Sequence, residues 1–193
     1  MKTRDRILAG ALALFNDEGA AMVSAVDIAA ALGISPGHLY YHFKGKAEII
    51  AVLFDGFEAE LALVLEGALG DIARPDAGLD DLHTHVLIVL EEVHDVRFLF
   101  REAGTLAQAF PALAPRYRRV LAGLRGAMAA LLEVLVQRGV IDAAEAGALA
   151  RDMAAGIAFK LAQFDLEADP EPPRQRIARA VTEIMTPIRA RAT

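Results

Sequence analysis

Residues 27–50 read DIAAALGISPGHLYYHFKGKAEII, and the fold follows from where this stretch stops and restarts its helices. Ser24 stands just ahead as an N-cap with Asp27 three residues on, the spacing of a capping box, and predicts a short helix through Leu32. Gly33 ends it. Ser35 and Pro36 then form a second start signal, Ser as N-cap and Pro at the first helical position, where a missing N–H costs nothing. "LGIS" is therefore a tight turn between two short helices, the second spanning Pro36 to His42. Leu39 and Phe43, four residues apart, face the core, and Tyr40, Tyr41 and His42 largely cannot share that face. From His38 to Lys46 the chain places two tyrosines, two histidines and two lysines in nine residues. In an otherwise apolar, Ala-rich sequence, such a run of hydrogen-bond donors implies a partner outside the chain.

The pattern continues outward as helix. Ala, Leu, Glu and Arg dominate, apolar residues recur at three and four, and no sustained alternation bounded by turns is present, so the chain is expected to be all-α. A first helix should run from about Thr3 to Glu18, with Ile7, Ala11, Leu14 and Phe15 on one face and Gly19 at a left-handed cap position. A long helix should start near Lys46 and fade around Gly70, and Leu79 to Asp95 should form the next, with Leu82, Val86, Val89 and Val93 on one stripe. Further helices are expected over about 97–109, 116–138, 143–166 and 174–191, broken by Pro111, Pro115, Gly139 and "EADPEPP". These make nine helices.

With 193 residues and 55% apolar content, the chain can bury a core as one compact domain or as a small domain joined to a larger one. It has no cysteine, which excludes disulfides, thiolate metal sites and thiol redox chemistry, and is compatible with a reducing compartment. The N-terminus has basic residues ahead of an apolar stretch, but Asp5 and the helical spacing argue for an amphipathic helix rather than a signal peptide. Runs such as "HVLIVL" are broken by charge well short of the roughly 18 to 20 residues that span a bilayer. A cytoplasmic protein without membrane association is expected. Net charge is −6. In residues 1–50, Lys2, Arg4, Arg6, Lys44 and Lys46 balance Asp5, Asp17, Glu18, Asp27 and Glu48, so the whole excess of acid lies beyond them.

Two short helices joined by a turn with Gly33 form a helix-turn-helix, whose second helix enters the DNA major groove by its N-terminal residues. Phosphate contacts position such a helix and base edges are read by side chains near its start. Residues 4–54 resemble the DNA-binding domain of the TetR family of bacterial transcriptional regulators. The likeness lies in RDRILAGALALFNDEG (4–19), in the quoted stretch and in their spacing, above all in LYYHFKGK (39–46). The resemblance implies that Ser24, Tyr40, His42 and Lys46 contact phosphates and that Pro36, Gly37, His38 and Tyr41 lie at or near base edges. Near Val26 the family usually carries a basic residue. The segment DVRFLFREAGTLAQAFPALAPRYRRVL (95–121) is similar to one subgroup of these regulators. Lys44 serves equally as a helix-cap charge or a phosphate contact, and Lys2, Arg4 and Arg6 equally as a basic arm or a frayed terminus.

The expected organisation is a DNA-binding domain over 1–47 and an effector-binding and dimerisation domain over 48–193. In that arrangement the chain is a sequence-specific, ligand-responsive repressor that binds a palindromic double-stranded operator as a homodimer. Phe57, Leu61, Phe98, Tyr117 and Met128 are candidate walls for a largely apolar small-molecule effector, as are Phe110 and Leu124, with Arg101, Glu102, Thr105 and Gln108 as candidate polar groups. Arg101 reads somewhat more readily as a structural ion pair with another helix. His83, His85 and His94 lack the i, i+3 or i, i+4 spacing of helical metal ligands, and neither a metal nor a cofactor is expected. Lys160 is either a counter-ion for an acidic ligand or a snorkelling side chain. The resemblance places the homodimer interface on the final two helices, with Ile157 and Ile184 as apolar interface positions. The competing reading is a helical small-molecule carrier or enzyme whose helix-turn-helix mediates protein contacts. No nucleophile-base pair, metal spacing or phosphate loop supports catalysis.

Overall fold

The expected stops and starts organise the computed structural model, which describes residues 2–192. Helix α1 spans Thr3–Glu18, α2 Ala25–Ala31, α3 Pro36–His42, α4 Lys46–Ile72 and α5 Leu79–Asp95. They are followed by α6 Arg97–Arg101, α7 Ala103–Ala109, a 3-10 turn Pro111–Leu113, α8 Ala114–Gln137, α9 Ala143–Leu166 and α10 Pro173–Arg189. Among the described residues there is no strand. Ten α-helices among the described residues replace the expected nine because the segment over 97–109 breaks at Glu102, whose φ of −109° and ψ of 17° depart from helix geometry. Gly19 has φ 92° and ψ 136°, a positive φ that favours glycine, as expected from its position, with ψ outside the left-handed helical cap.

One compact unit comprises the N-terminal residues through Glu58 together with Val96–Arg116. Its core is Ile7, Ala11, Phe15, Ile28, Leu39, Phe43, Ile49, Phe54, Phe98 and Leu99, all buried. Phe15 and Phe98 meet at a ring-centroid distance of 5.2 Å. Burying each such side chain contributes about 1.5–3 kcal/mol. Arg116, the third residue of α8, closes this unit on α4: it donates to Glu58 at 2.5 Å and to the Ala51 carbonyl at 3.1 Å, with its guanidinium 4.3 Å from the Phe54 ring centre.

The second unit comprises Ala59–Asp95 and the chain from Tyr117 onward. Here α10 packs on both α9 and α5. The small residues of α9 allow a close approach, since a Cβ on Gly156 would lie 2.8 Å from Ile184 Cγ1. The helical stretch Pro111–Gln137 contains an 18-residue window apolar enough to cross a bilayer by length and composition. This differs from the expectation that charge breaks every such run. Its Val120, Leu124, Met128, Leu131, Leu132 and Leu135 are buried at helical spacing, which is the pattern of a core helix.

Candidate nucleic-acid interface

Local chemistry fixes both helices of the motif. The Ser24 hydroxyl accepts the Asp27 N–H at 3.2 Å and the Asp27 carboxylate accepts the Ser24 N–H at 2.8 Å, a complete capping box. The side-chain hydrogen bond with Ser24, then the backbone one, holds the Asp27 carboxyl below the usual carboxylate range. At the other end of α2 the Gly33 N–H donates to Ala30 O and the Ile34 N–H to Ala29 O, at 3.1 and 3.0 Å. This paired closure needs a positive φ, and Gly33 has 65°. The Ser35 hydroxyl then caps α3 by accepting the His38 N–H at 3.2 Å.

Those caps set which faces of α3 are buried. Leu39 and Phe43 are buried in the unit's core, and Pro36, Gly37, His38, Tyr40 and Tyr41 point outward. Tyr41 is 83% exposed and Tyr40 50%. His42 is partly covered, its ring 5.5 Å from that of His38 and 5.1 Å, edge-on, from that of Tyr41. The structure thus brings His38, Tyr41 and His42 together as one cluster of rings on an exposed helix.

Lys46 opens α4, and its Nζ donates to the Ala20 carbonyl at 2.6 Å. An ammonium has three donors, so this bond leaves two. The Lys44 side chain is exposed and its N–H donates to Glu48 at 2.7 Å. Arg4 lies within α1, its guanidinium 4.9 Å from the Phe43 ring centre. Val26 is half exposed in the first turn of α2, and its side chain presents no hydrogen-bonding group there.

The candidate effector residues divide between the two units. Phe57, Phe98, Arg101 and Thr105 belong to the first, Leu61, Tyr117 and Met128 to the second. Phe57 packs edge-on against Phe100 at 5.4 Å, and Phe98 is fully buried against Phe15. Arg101 donates to the Phe15 carbonyl at 3.1 Å and lies 3.7 Å from the carboxylate of adjacent Glu102, rather than pairing with an acid of another helix. Thr105 is exposed, whereas Leu61, Tyr117 and Met128 are buried.

Sequence reasoning missed two features that the second unit contains. A cavity of about 680 Å³ is lined by Glu91, Glu92, His94, Asp95, Arg174 and Ile177, among others. Partial burial, then the charges of Asp95, Glu60 and Glu91, raise the Glu92 carboxyl above its ordinary range. A groove of about 340 Å³ lies along α9 and α10, beside Met153, Gly156, Phe159 and Ile184. Lys160 there pairs with Glu183 at 2.6 Å. Of the histidines, buried His85 has Nε2 3.5 Å from Asp71, and His83 has Nδ1 3.5 Å from Arg189. The acids around Glu92 are visible in the sequence, but their convergence is not.

Comparison with known proteins places the chain. A family model for bacterial regulatory proteins of the TetR family matches residues 7–53, and a model described as bacterial transcriptional repressor matches residues 57–193. The chain is 29% identical over 106 residues to a probable HTH-type transcriptional regulator, YttP, of Bacillus subtilis, covering 53% of this chain and 51% of that protein. It is 33% identical over 87 residues to the HTH-type transcriptional regulator AcrR of Shigella flexneri, covering 45% and 40%. The matched stretches thus span about half or less of those relatives. A TetR-family transcriptional regulator from Marinobacter aquaeolei is similar over 100% of this chain and 92% of its own, with a TM-score of 0.85 and 27% identity. The complex of SmeT with triclosan shares the fold at a TM-score of 0.67 and 21% identity, over 96% of this chain and 90% of that one. With models matching both the helix-turn-helix stretch and the rest of the chain to its last residue, this protein belongs to the TetR family of bacterial transcriptional regulators.

Proposed function

We propose that the chain is a ligand-responsive repressor, acting in the cytoplasm, whose homodimer binds a palindromic operator. In this reading residues 1–47 carry the DNA contacts and residues 48–193 bind the effector and dimerise. Two copies of α3 enter successive major grooves when their spacing matches one DNA turn, about 34–36 Å, or a multiple of it. The observation that carries the reading is the division of α3, with Leu39 and Phe43 buried and Pro36, Gly37, His38, Tyr40 and Tyr41 outward. A helix with two core anchors and an exposed row of ring donors offers what base edges and phosphates take up. Ser24, Tyr40, His42 and Lys46 hold the backbone in this scheme; Pro36, Gly37, His38 and Tyr41 face the bases.

An effector lowers operator affinity only if it binds a dimer geometry unsuited to DNA more tightly than the suited one. SmeT in complex with triclosan is an example of this fold holding a small molecule, and the net acid beyond residue 50 favours a ligand without strong negative charge. Operator selection on the DNA upstream of the protein's own coding region tests the reading, with His38→Ala and Tyr41→Ala beside wild type. Each variant is expected to change the preferred sequence, losing about 1–3 kcal/mol of discrimination at the base it faces. Identical selected operators from all three proteins would remove both residues from the reading face.

A further inference from the structure

Between α6 and α7 the helix is interrupted at one residue, Glu102, and its carboxylate reaches the turn that follows α1. Its Oε1 accepts the Ala20 N–H and its Oε2 the Ala21 N–H, each at 2.9 Å. The side chain is only 14% exposed. On its other side the same residue of the turn is held by Lys46, whose Nζ donates to Ala20 O at 2.6 Å. Gly19, just before, has φ 92°, and a Cβ there would lie 3.1 Å from Glu102 Oε1. The carboxylate therefore occupies room that a glycine leaves.

Arg101 also lies 3.7 Å from Glu102 Oε1, but the hydrogen bonds of the neighbouring residues run to α1. Arg97 pairs with Asp17 at 3.1 Å, the Phe98 N–H donates to Asn16 Oδ1 at 3.2 Å and Arg101 to Phe15 O at 3.1 Å, so these three fasten the last turn of α1. Glu102 engages the backbone beyond that helix, a few residues ahead of the Ser24 cap that starts α2. An ionised carboxylate taking two converging N–H groups forms charge-assisted bonds, stronger and more directional than neutral ones. The exit angle from α1 into α2, and with it the angle at which α3 is presented, is set in this turn.

We propose that Glu102 is a positioning residue for operator binding, acting through the Ala20 and Ala21 amides without touching DNA. The proposal rests on the reading above, in which α3 reads the operator. Standing at the joint of two helices, the carboxylate follows the α6–α7 angle, and any change there is delivered to the turn.

The test uses the full chain with Glu102→Gln and Glu102→Asp, the second keeping the charge but shortening the reach. Three measurements are made: amide exchange at Ala20 and Ala21, affinity for the operator fragment that wild type protects, and affinity for an unrelated fragment, the last two across a salt series. Removing a negative charge by itself strengthens binding to any DNA. Positioning has the opposite sign for the operator alone. Both variants should exchange the two amides faster and lose about tenfold in operator affinity, the scale of one charge-assisted hydrogen bond. Affinity for unrelated DNA should not fall, and the salt slope should stay that of wild type because no phosphate contact is lost. Faster exchange with an unchanged ratio of operator to unrelated affinity would overturn the proposal, as would unchanged exchange. Operator binding restored by Glu102→Asp would show that charge rather than reach matters, and would also overturn it. Should either variant fail to fold, Gly19→Ala displaces the same turn with Glu102 intact and is held to the same ratio. A wild-type protein that protects no fragment would instead overturn the operator reading itself, whatever the exchange rates.

Discussion

Lys46 has an intramolecular partner that its sequence context does not announce. Its place in LYYHFKGK implies a phosphate contact, and the structure adds a bond from its Nζ to Ala20 O. The sequence could not foretell that bond, because the partner lies 26 residues away in the turn that follows α1 at positive-φ Gly19. The two roles separate in a salt series. Replacing Lys46 by Ala should weaken binding to all DNA sequences and lower the salt slope by about one, the counterion released by one phosphate contact. A loss confined to the operator at an unchanged slope would make Lys46 a brace for the turn alone. By contrast, the capping box of Ser24 and Asp27 and the Ser35–Pro36 start were fully readable, since each lies within three residues of its partner.

At the scale of elements, boundaries set by local signals were legible, and those set by distant partners were not. The turn of α2 into α3 needs Gly33, and its two closing bonds are local. The break between α6 and α7 is different: nothing in RFLFREAG announces it, and the residue at the break is tied to amides 82 and 81 positions earlier. The acidic end of α5 is a further case. Glu91, Glu92 and Asp95 crowd a helix C-terminus, where negative charge opposes the macrodipole, and Glu60 of α4 adds to the repulsion. Since the folded state holds the Glu92 proton more tightly than the unfolded chain, the sign follows from linkage. Well below the ordinary glutamate value of about 4.3 the group is protonated in both states and has no effect. As pH rises through that value and the higher folded one, stability is lost. Glu92→Gln should therefore melt at a higher temperature than wild type near neutral pH, the two converging in acid. A difference that persists unchanged at about pH 3, where the carboxyl is protonated in both states, would assign the effect to packing.

For the whole molecule, the last two helices were expected to carry the dimer interface, and their packing changes which residues can test it. Ile157 is fully buried and Ile184 nearly so, the latter against Gly156 within the same chain. A charge at either position would damage the protomer before it could report on association, because an isolated buried charge is costly. Phe159 is different, being 41% exposed on α9 beside the groove that Met153, Gly156 and Lys160 help to line. A large aromatic left partly open next to small residues is the kind of anchor that a second copy can cover, and such anchors each contribute about 2 kcal/mol or more to an interface. Phe159→Glu should accordingly leave the helical signal and melting of the protomer near wild type while shifting sedimentation at micromolar concentration from dimer to monomer. Operator affinity should fall with it, because one α3 then reaches only one half-site. A folded Phe159→Glu protein that sediments as wild type would place the interface elsewhere, and a wild type already monomeric at that concentration would overturn the dimer.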